Sequence, residues 1–249
     1  MTGRFDWLPA DWQSPPGVVA GTTLRRGGVS RGPCSSFNLA AHVGDADASV
    51  AENRGRLRAA LELPAEPHWL DQVHGTRVIE AMPAGAAQEA DAAYTSRKGV
   101  VCAVLTADCL PVLFAARDGS RVAAAHAGWR GLADGVLEAT IDALGCAPAD
   151  LVAWLGPAIS QPAFEVGNEV RERFVAADPA AADCFSPNDR GRWQGDLYGL
   201  ARLRLAARGI RAVHGGARCT FREQELFYSY RREPACGRMA SLVFMRDSG

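Results

Sequence analysis

The feature that most constrains this chain is an apolar run from Val100 to Phe114, broken once, by Asp108 and Cys109. Val and Leu dominate on both sides of the break, and Gly99 and Gly119 flank the run, a pattern that predicts a buried strand. A carboxylate beside a thiol inside such a strand is costly unless something pairs with it, and Pro111 cannot donate to a ladder. The spacing therefore predicts a bend, a bulge or a sheet edge, with Asp108 and Cys109 facing a cavity. Val122 to Ala125 reads as the next strand and ends in His126. Gly128 and Gly131 then open a helix whose apolar positions are Leu132, Val136, Leu137, Ile141 and Leu144. Two strand ends thus bring a thiol and an imidazole close to a helix N-terminus.

The remainder of the chain reads as ordinary globular protein. Its 249 residues are ample for a substantial core. With no repeat, linker or low-complexity segment, the mixture of strands and helices predicts a single α/β domain over 1–249. The balance of 27 basic against 28 acidic residues gives a net charge of -1, so no bulk field recruits nucleic acid or an anionic membrane. Residues 1–20 show neither a basic start nor a continuous apolar segment, hence no signal peptide. The longest apolar stretch, Val100 to Ala116, carries Asp108 and falls short of the roughly 20 residues a membrane helix needs. Seven Cys, an odd number without Cys-x-x-Cys spacing, fit reduced thiols and a cytoplasmic location.

Taken in order, Val18 to Leu24 is a strand, and Arg25 to Asn38 is a Gly- and Ser-rich loop long enough to cover a site. Asp47 caps a helix over about Ala48 to Leu63, with Val50, Leu57, Ala60 and Leu61 on one face and Arg54 among them. His68 to Ala81 reads as strand, turn, strand, which puts His74 in the turn. Leu151 to Leu155, Ile210 to Val213 and Ala240 to Phe244 are further strands. Asn168 to Ala177 and a helix capped by Asp196 complete the reading.

His74, Cys109 and His126 match the three protein ligands of a catalytic zinc site whose fourth position is left for water or substrate. A zinc ion there would lower the pKa of water towards about 7, and Asp108 would orient an imidazole or shuttle a proton. Without metal, the same residues suit a Cys nucleophile with a His base. The bland alternative is a buried apolar Cys109, a hydrogen-bonded core His126 and an Asp108 paired with an Arg. Two His and a Cys also suit copper. A multicopper oxidase needs a further His-rich cluster, however, and only His42, His68 and His214 remain of five.

Gln72-Val73-His74-Gly75, Ala107-Asp108-Cys109-Leu110-Pro111 and His126-Ala127-Gly128-Trp129-Arg130-Gly131 resemble the three signature segments of the YfiH, or laccase-domain, family. The likeness extends to Phe37-Asn38-Leu39, His42-Val43-Gly44-Asp45, Asn53-Arg54, Gly156-Pro157-Ala158-Ile159, Phe164-Glu165-Val166-Gly167 and Tyr228-Ser229-Tyr230-Arg231-Arg232, with Tyr228 where Phe is expected. The resemblance implies a layered α-β-β-α sandwich and a zinc site on His74, Cys109 and His126. It also implies phosphorolysis of adenosine, inosine and methylthioadenosine, with some deamination of adenosine. Other branches of the family imply polyphenol oxidation, or removal of a misincorporated serine from a nucleotide-linked muramyl precursor during peptidoglycan editing. Phosphorolysis needs cations for the phosphate. Arg130 is the first candidate, and Asn38 and Arg54 are the next.

Overall fold

A computed structural model of the chain describes residues 6–83 and 87–246. The single-domain reading therefore includes residues 1–5, 84–86 and 247–249, and the leader reading includes residues 1–5, that lie outside the described residues.

The broken apolar run is the hinge of the architecture. Val101–Thr106 belongs to a four-stranded antiparallel sheet, where it pairs with Met239–Met245; Val18–Thr23 and Trp7–Pro9 follow. Leu110–Ala116 belongs to a different, six-stranded sheet, between Leu151–Leu155 and Val122–Ala127. Residues 107–109 are thus neither bulge nor edge: they are the crossing from one sheet to the other. Ala92–Thr95 and Val78–Glu80 extend the larger sheet on one side, and Ala212–Gly215 on the other.

Side-chain parity explains why these strands are apolar throughout. Cys102, Val104 and Val243 from the small sheet meet Leu113, Ala115, Val122 and Val152 from the large one, forming the layer between the sheets. The alternate residues Val101, Ala103, Leu242 and Phe244 pack outward on Phe37, Leu39 and Leu57. Phe114, Ala123, Ala125 and Ala153 pack outward on Leu132, Leu137, Ile141, Leu200 and Leu205. The result is one mixed α/β domain with an α-β-β-α order of layers.

Pro111 lies in a central strand. Its carbonyl accepts from Gly156 N–H at 2.9 Å, just past the end of Leu151–Leu155, so its missing N–H faces a strand that has already ended.

Several boundaries differ from the sequence reading. The first helix is Asp47–Leu61, and Ala46 rather than Asp47 holds the N-cap position. It closes on Glu62 in the left-handed region, two residues before Pro64. The helix expected from Gly128 is two: Trp129–Asp134 and Val136–Leu144, parted by Gly135 at φ 101°. Leu70–Asp71 and Val78–Glu80 do not pair with each other; they join different sheets, which opens the turn carrying His74. The loop from Arg25 to Asn38 does not lie over the cleft described below. Buried Asn53 gathers it in, donating to Ser30 Oγ, Ser36 O and Asn38 O and accepting from Val29 N–H.

Candidate active site

His126 has the parity of Val122 and Ala124, so its ring emerges at the open end of the layer between the sheets. The sheet crossing delivers Cys109 to the same place. The turn before Val78–Glu80 delivers His74. The ligand atoms of His74, Cys109 and His126 all lie within 4.8 Å of one another. His74 Nε2 is 3.8 Å from Cys109 Sγ, and the two imidazoles meet edge to face with centroids 4.8 Å apart.

Asp91, which sequence reasoning missed, holds the His126 imidazole and the backbone of His74. It is fully buried at the start of Ala92–Thr95. One oxygen bonds His126 Nδ1 at 2.8 Å and accepts from His74 N–H at 2.9 Å. The other accepts from Gly75 N–H at 2.6 Å and Val73 N–H at 3.3 Å. These bonds fix His74 at a φ of 62°, a conformation that costs a non-glycine residue free energy. They also leave His126 Nε2 as the ring nitrogen available to a ligand. Burial raises the Asp91 carboxyl, but His126 and the Gly75 and His74 N–H groups outweigh it and hold it below the usual carboxylate range. The only sequence signal was a lone acid among Ala90, Ala92 and Ala93.

Burial disfavours charge on Cys109 and on His126, yet each offsets it for the other. The Cys109 thiol is drawn down to about 6 by His126 and His74. The His126 imidazole is raised to about 9 by Cys109 and Asp91. Each group thus favours the charged form of the other, thiolate beside imidazolium.

The glycines of the signature segment are there for contact. A Cβ on Gly128 would stand 2.7 Å from His74 Cδ2 and 3.2 Å from Cys109 Sγ. One on Gly131 would stand 2.6 Å from the Gly75 carbonyl oxygen. Only bare backbone lets the helix approach the His74 turn this closely.

Asp108 lines the cleft at φ 92°, but its carboxylate does not orient an imidazole; that work falls to Asp91. Asp108 accepts from Thr220 Oγ1 at 2.6 Å, Ser229 Oγ at 3.0 Å and Arg231 N–H at 2.7 Å. It ties the segment from Thr220 to Arg231 to the sheet crossing.

The three ligands stand in a cleft of about 480 Å³, within the range of small-molecule sites. Arg130, Arg231 and Arg238 line it, each near an aromatic ring of the same wall: Trp129 at 4.4 Å, Phe164 at 5.7 Å and Tyr230 at 5.7 Å. From the sequence Arg231 stood out only as part of the Tyr228–Arg232 segment, with no role given to it, and Arg238, between Gly237 and Met239, not at all. Asn38 is elsewhere. Fully buried, it bonds Asp45, both polar groups of the Ala40 backbone, and Arg238 N–H. Arg54 donates Nε and Nη2 to the Leu39 carbonyl and stacks 4.2 Å from the Trp69 ring, in a neighbouring cavity.

The donor set fits a metal ion: two imidazoles and a thiolate at ligand spacing, with a carboxylate behind one ring. It is the one such cluster found among the described residues. Of the other three His, His42 lines the same cleft while His68 and His214 do not, so no second His-rich cluster accompanies it among the described residues. All seven Cys are free, and no helix of the described residues is long and apolar enough to cross a membrane.

Residues 19–246 match the family model described as multi-copper polyphenol oxidoreductase laccase. A purine nucleoside phosphorylase of Pseudomonas aeruginosa is 55% identical over 242 residues, 97% of this chain and 99% of its own. The purine nucleoside phosphorylase YfiH of Escherichia coli K12 is 52% identical over 235 residues, 94% of this chain and 96% of its own. Among solved structures, Neisseria meningitidis NMB0706 superposes with a TM-score of 0.93 at 48% identity, covering 97% of this chain and 99% of that one. YlmD of Geobacillus stearothermophilus does so at 0.91 and 33%, covering 97% and 96%. With the model spanning nearly the whole chain and the relatives matching end to end, the chain belongs to the YfiH, or laccase-like polyphenol oxidoreductase, family.

Proposed function

We propose that the protein is a zinc-dependent purine nucleoside phosphorylase of the cytoplasm, acting on adenosine, inosine and methylthioadenosine and deaminating adenosine as a side activity. The observation that carries this reading is the meeting of His74, Cys109 and His126 in a cleft walled by three arginines, each beside an aromatic ring. The names of the similar proteins point the same way.

The chain's own residues divide the work. Arg130, Arg231 and Arg238 hold phosphate as an anion. Arg130, without an ion pair among the described residues, keeps its guanidinium for the ligand. Trp129, Phe164 and Tyr230 offer faces for the nucleoside. A phosphate oxygen forms its bond to the sugar C1′ as the C1′–nitrogen bond breaks, and that electron pair leaves with the base, which takes up a proton. His74, Cys109 and His126 would hold the zinc ion. When bound, it supplies Lewis acidity and acidifies water towards neutral pH, the chemistry deamination requires. Asp91 fixes the His126 ring and the His74 backbone, and Asp108 holds Arg231 against the cleft. A copper ion fits the same donors, but no additional His-rich cluster for multicopper oxidation stands among the described residues.

The test is product analysis on metal-quantified protein, wild type beside Cys109→Ala, with adenosine and with phosphate added or omitted. Phosphate-dependent adenine and ribose 1-phosphate, lost in the variant, are expected. No purine product from zinc-loaded wild type, with serine released from the muramyl precursor, would replace this reading with precursor editing.

A further inference from the structure

The turn that carries His74 has little apolar packing to hold it: Val73 is 51% exposed, and Leu70–Asp71, just before it, pairs only with the short strand Gln88–Glu89. Asp91 fixes the turn from the side of the six-stranded sheet, through the N–H groups of Val73, His74 and Gly75. A second restraint reaches it from the other sheet. Val101–Thr106 is an edge strand of the four-stranded sheet, so its outer N–H and C=O groups need partners from elsewhere in the chain. At its start the Val101 carbonyl accepts from His68 N–H at 2.9 Å. The chain then turns away to join Gln88–Glu89, and at Leu105 a side chain takes over. Gln72 Nε2 donates to the Leu105 carbonyl at 2.8 Å, and Gln72 Oε1 accepts from Leu105 N–H at 2.7 Å. A carboxamide suits this place because it carries donor and acceptor side by side. Gln72 and Leu105 both line the cleft.

His74 lies two residues beyond Gln72, and Cys109 four residues beyond Leu105, across the sheet crossing. We infer that Gln72 is a positioning residue of the metal centre: its amide pair with Leu105 ties the His74 turn to the strand that leads into Cys109, and so sets the separation of these two ligands. This rests on the metal reading of His74, Cys109 and His126. Gln72 offers an ion nothing itself, since both polar atoms of its amide are bonded to Leu105. Asp91 anchors the turn to the sheet that carries His126, and Gln72 anchors it to the strand before Cys109. The two restraints together aim one exposed imidazole at two ligands held on other elements.

The test compares wild type with Gln72→Met, which keeps the length of the side chain and loses both hydrogen bonds, and with Asn53→Ala, which removes buried hydrogen bonds in a loop that does not lie over the cleft. Chelator competition measures zinc affinity, urea denaturation of metal-free protein measures stability, and the visible spectrum of cobalt(II)-loaded protein reports the ligand geometry. Gln72→Met is expected to bind zinc about tenfold or more weakly, the scale seen when a group that orients a ligand is lost, with the cobalt bands changed in position and intensity. Asn53→Ala is expected to lose stability while keeping the zinc affinity and cobalt spectrum of wild type. Should Gln72→Met fail to fold, Gln72→Asn, whose amide is one methylene short of Leu105, is read in the same way. Wild-type zinc affinity and cobalt spectrum in the Gln72 variant, whatever its stability, would overturn the inference and leave the amide as a cap on the sheet edge. Wild type that binds neither zinc nor cobalt would instead remove the metal reading, and the inference with it.

Discussion

Asp91 and His126 share a hydrogen bond of 2.8 Å in full burial, and the same carboxylate accepts three backbone N–H groups of the turn that carries His74. One acid therefore sets the orientation of one ligand ring and the backbone of the other. Asp91→Asn keeps the shape, removes the charge and sets an amide N–H₂ against N–H donors. It is expected to weaken zinc affinity by about 10–100-fold and to cost about 3–5 kcal/mol of stability, as breaking a buried pair does. Chelator competition and urea denaturation of the metal-free protein measure the two effects separately.

Metal binding should be coupled to proton release. With the Cys109 thiol near 6 and the His126 imidazole near 9, the metal-free site between those limits carries a thiolate and an imidazolium. Binding then displaces one proton, from His126, so apparent affinity rises about tenfold per pH unit up to about 9 and levels off above it. Below about 6 the thiol must ionise too, and the slope steepens. The folding linkage has matching signs. The raised His126 stabilises the fold below its ordinary value and loses that contribution as pH climbs through about 9. The depressed Cys109 stabilises above its ordinary value and loses that contribution as pH falls through about 6. Zinc titrations in buffers of different ionisation enthalpy count the protons; a pH-independent affinity would contradict the charge state.

Gly128→Ala places a methyl group 2.7 Å from His74 Cδ2 and 3.2 Å from Cys109 Sγ. The imidazole must move, at a cost of about 1–3 kcal/mol. The expected result is a folded protein whose zinc content falls sharply, read by metal analysis beside circular dichroism.

Arg231→Gln and Arg238→Gln are expected to raise KM for phosphate by about tenfold or more, the scale of a lost charge-assisted bond, while KM for nucleoside changes less. Asn38→Ala should do the opposite. Its amide is buried among Ala40, Asp45 and Arg238, so truncation should cost about 1–3 kcal/mol of stability with phosphate KM little changed. Initial rates and urea denaturation on the same preparations distinguish the two classes.

The legible parts of this site were those whose residue type is expensive where it stands. Asp108 and Cys109 interrupt an apolar run, and His126 ends one, so their chemistry shows in one dimension. That the run divides between two sheets does not show, because each half is equally apolar and only its partners tell them apart. Asp91 was missed because its partners, Val73 to Gly75 and His126, are distant in sequence. Asn38 and Arg54 were noticed for their polarity, but their hydrogen bonds satisfy backbone at Ala40 and Leu39. Gly135 sits within an apolar helical period, which hid the break that the left-handed backbone makes there.

The seat of Cys109 has a mechanical consequence. A residue on an ordinary loop can be re-aimed by its neighbours, but Cys109 stands where the chain leaves one sheet for the other. Its position relative to His126 is nonetheless set inside the larger sheet, where the next two residues, Leu110 and Pro111, pair with Ala127 and His126. Thiol and imidazole are therefore spaced by one β-ladder, and the crossing decides only where that ladder begins. A one-residue slip of the ladder would turn the imidazole to the other face and part it from the thiol, with every ligand still present.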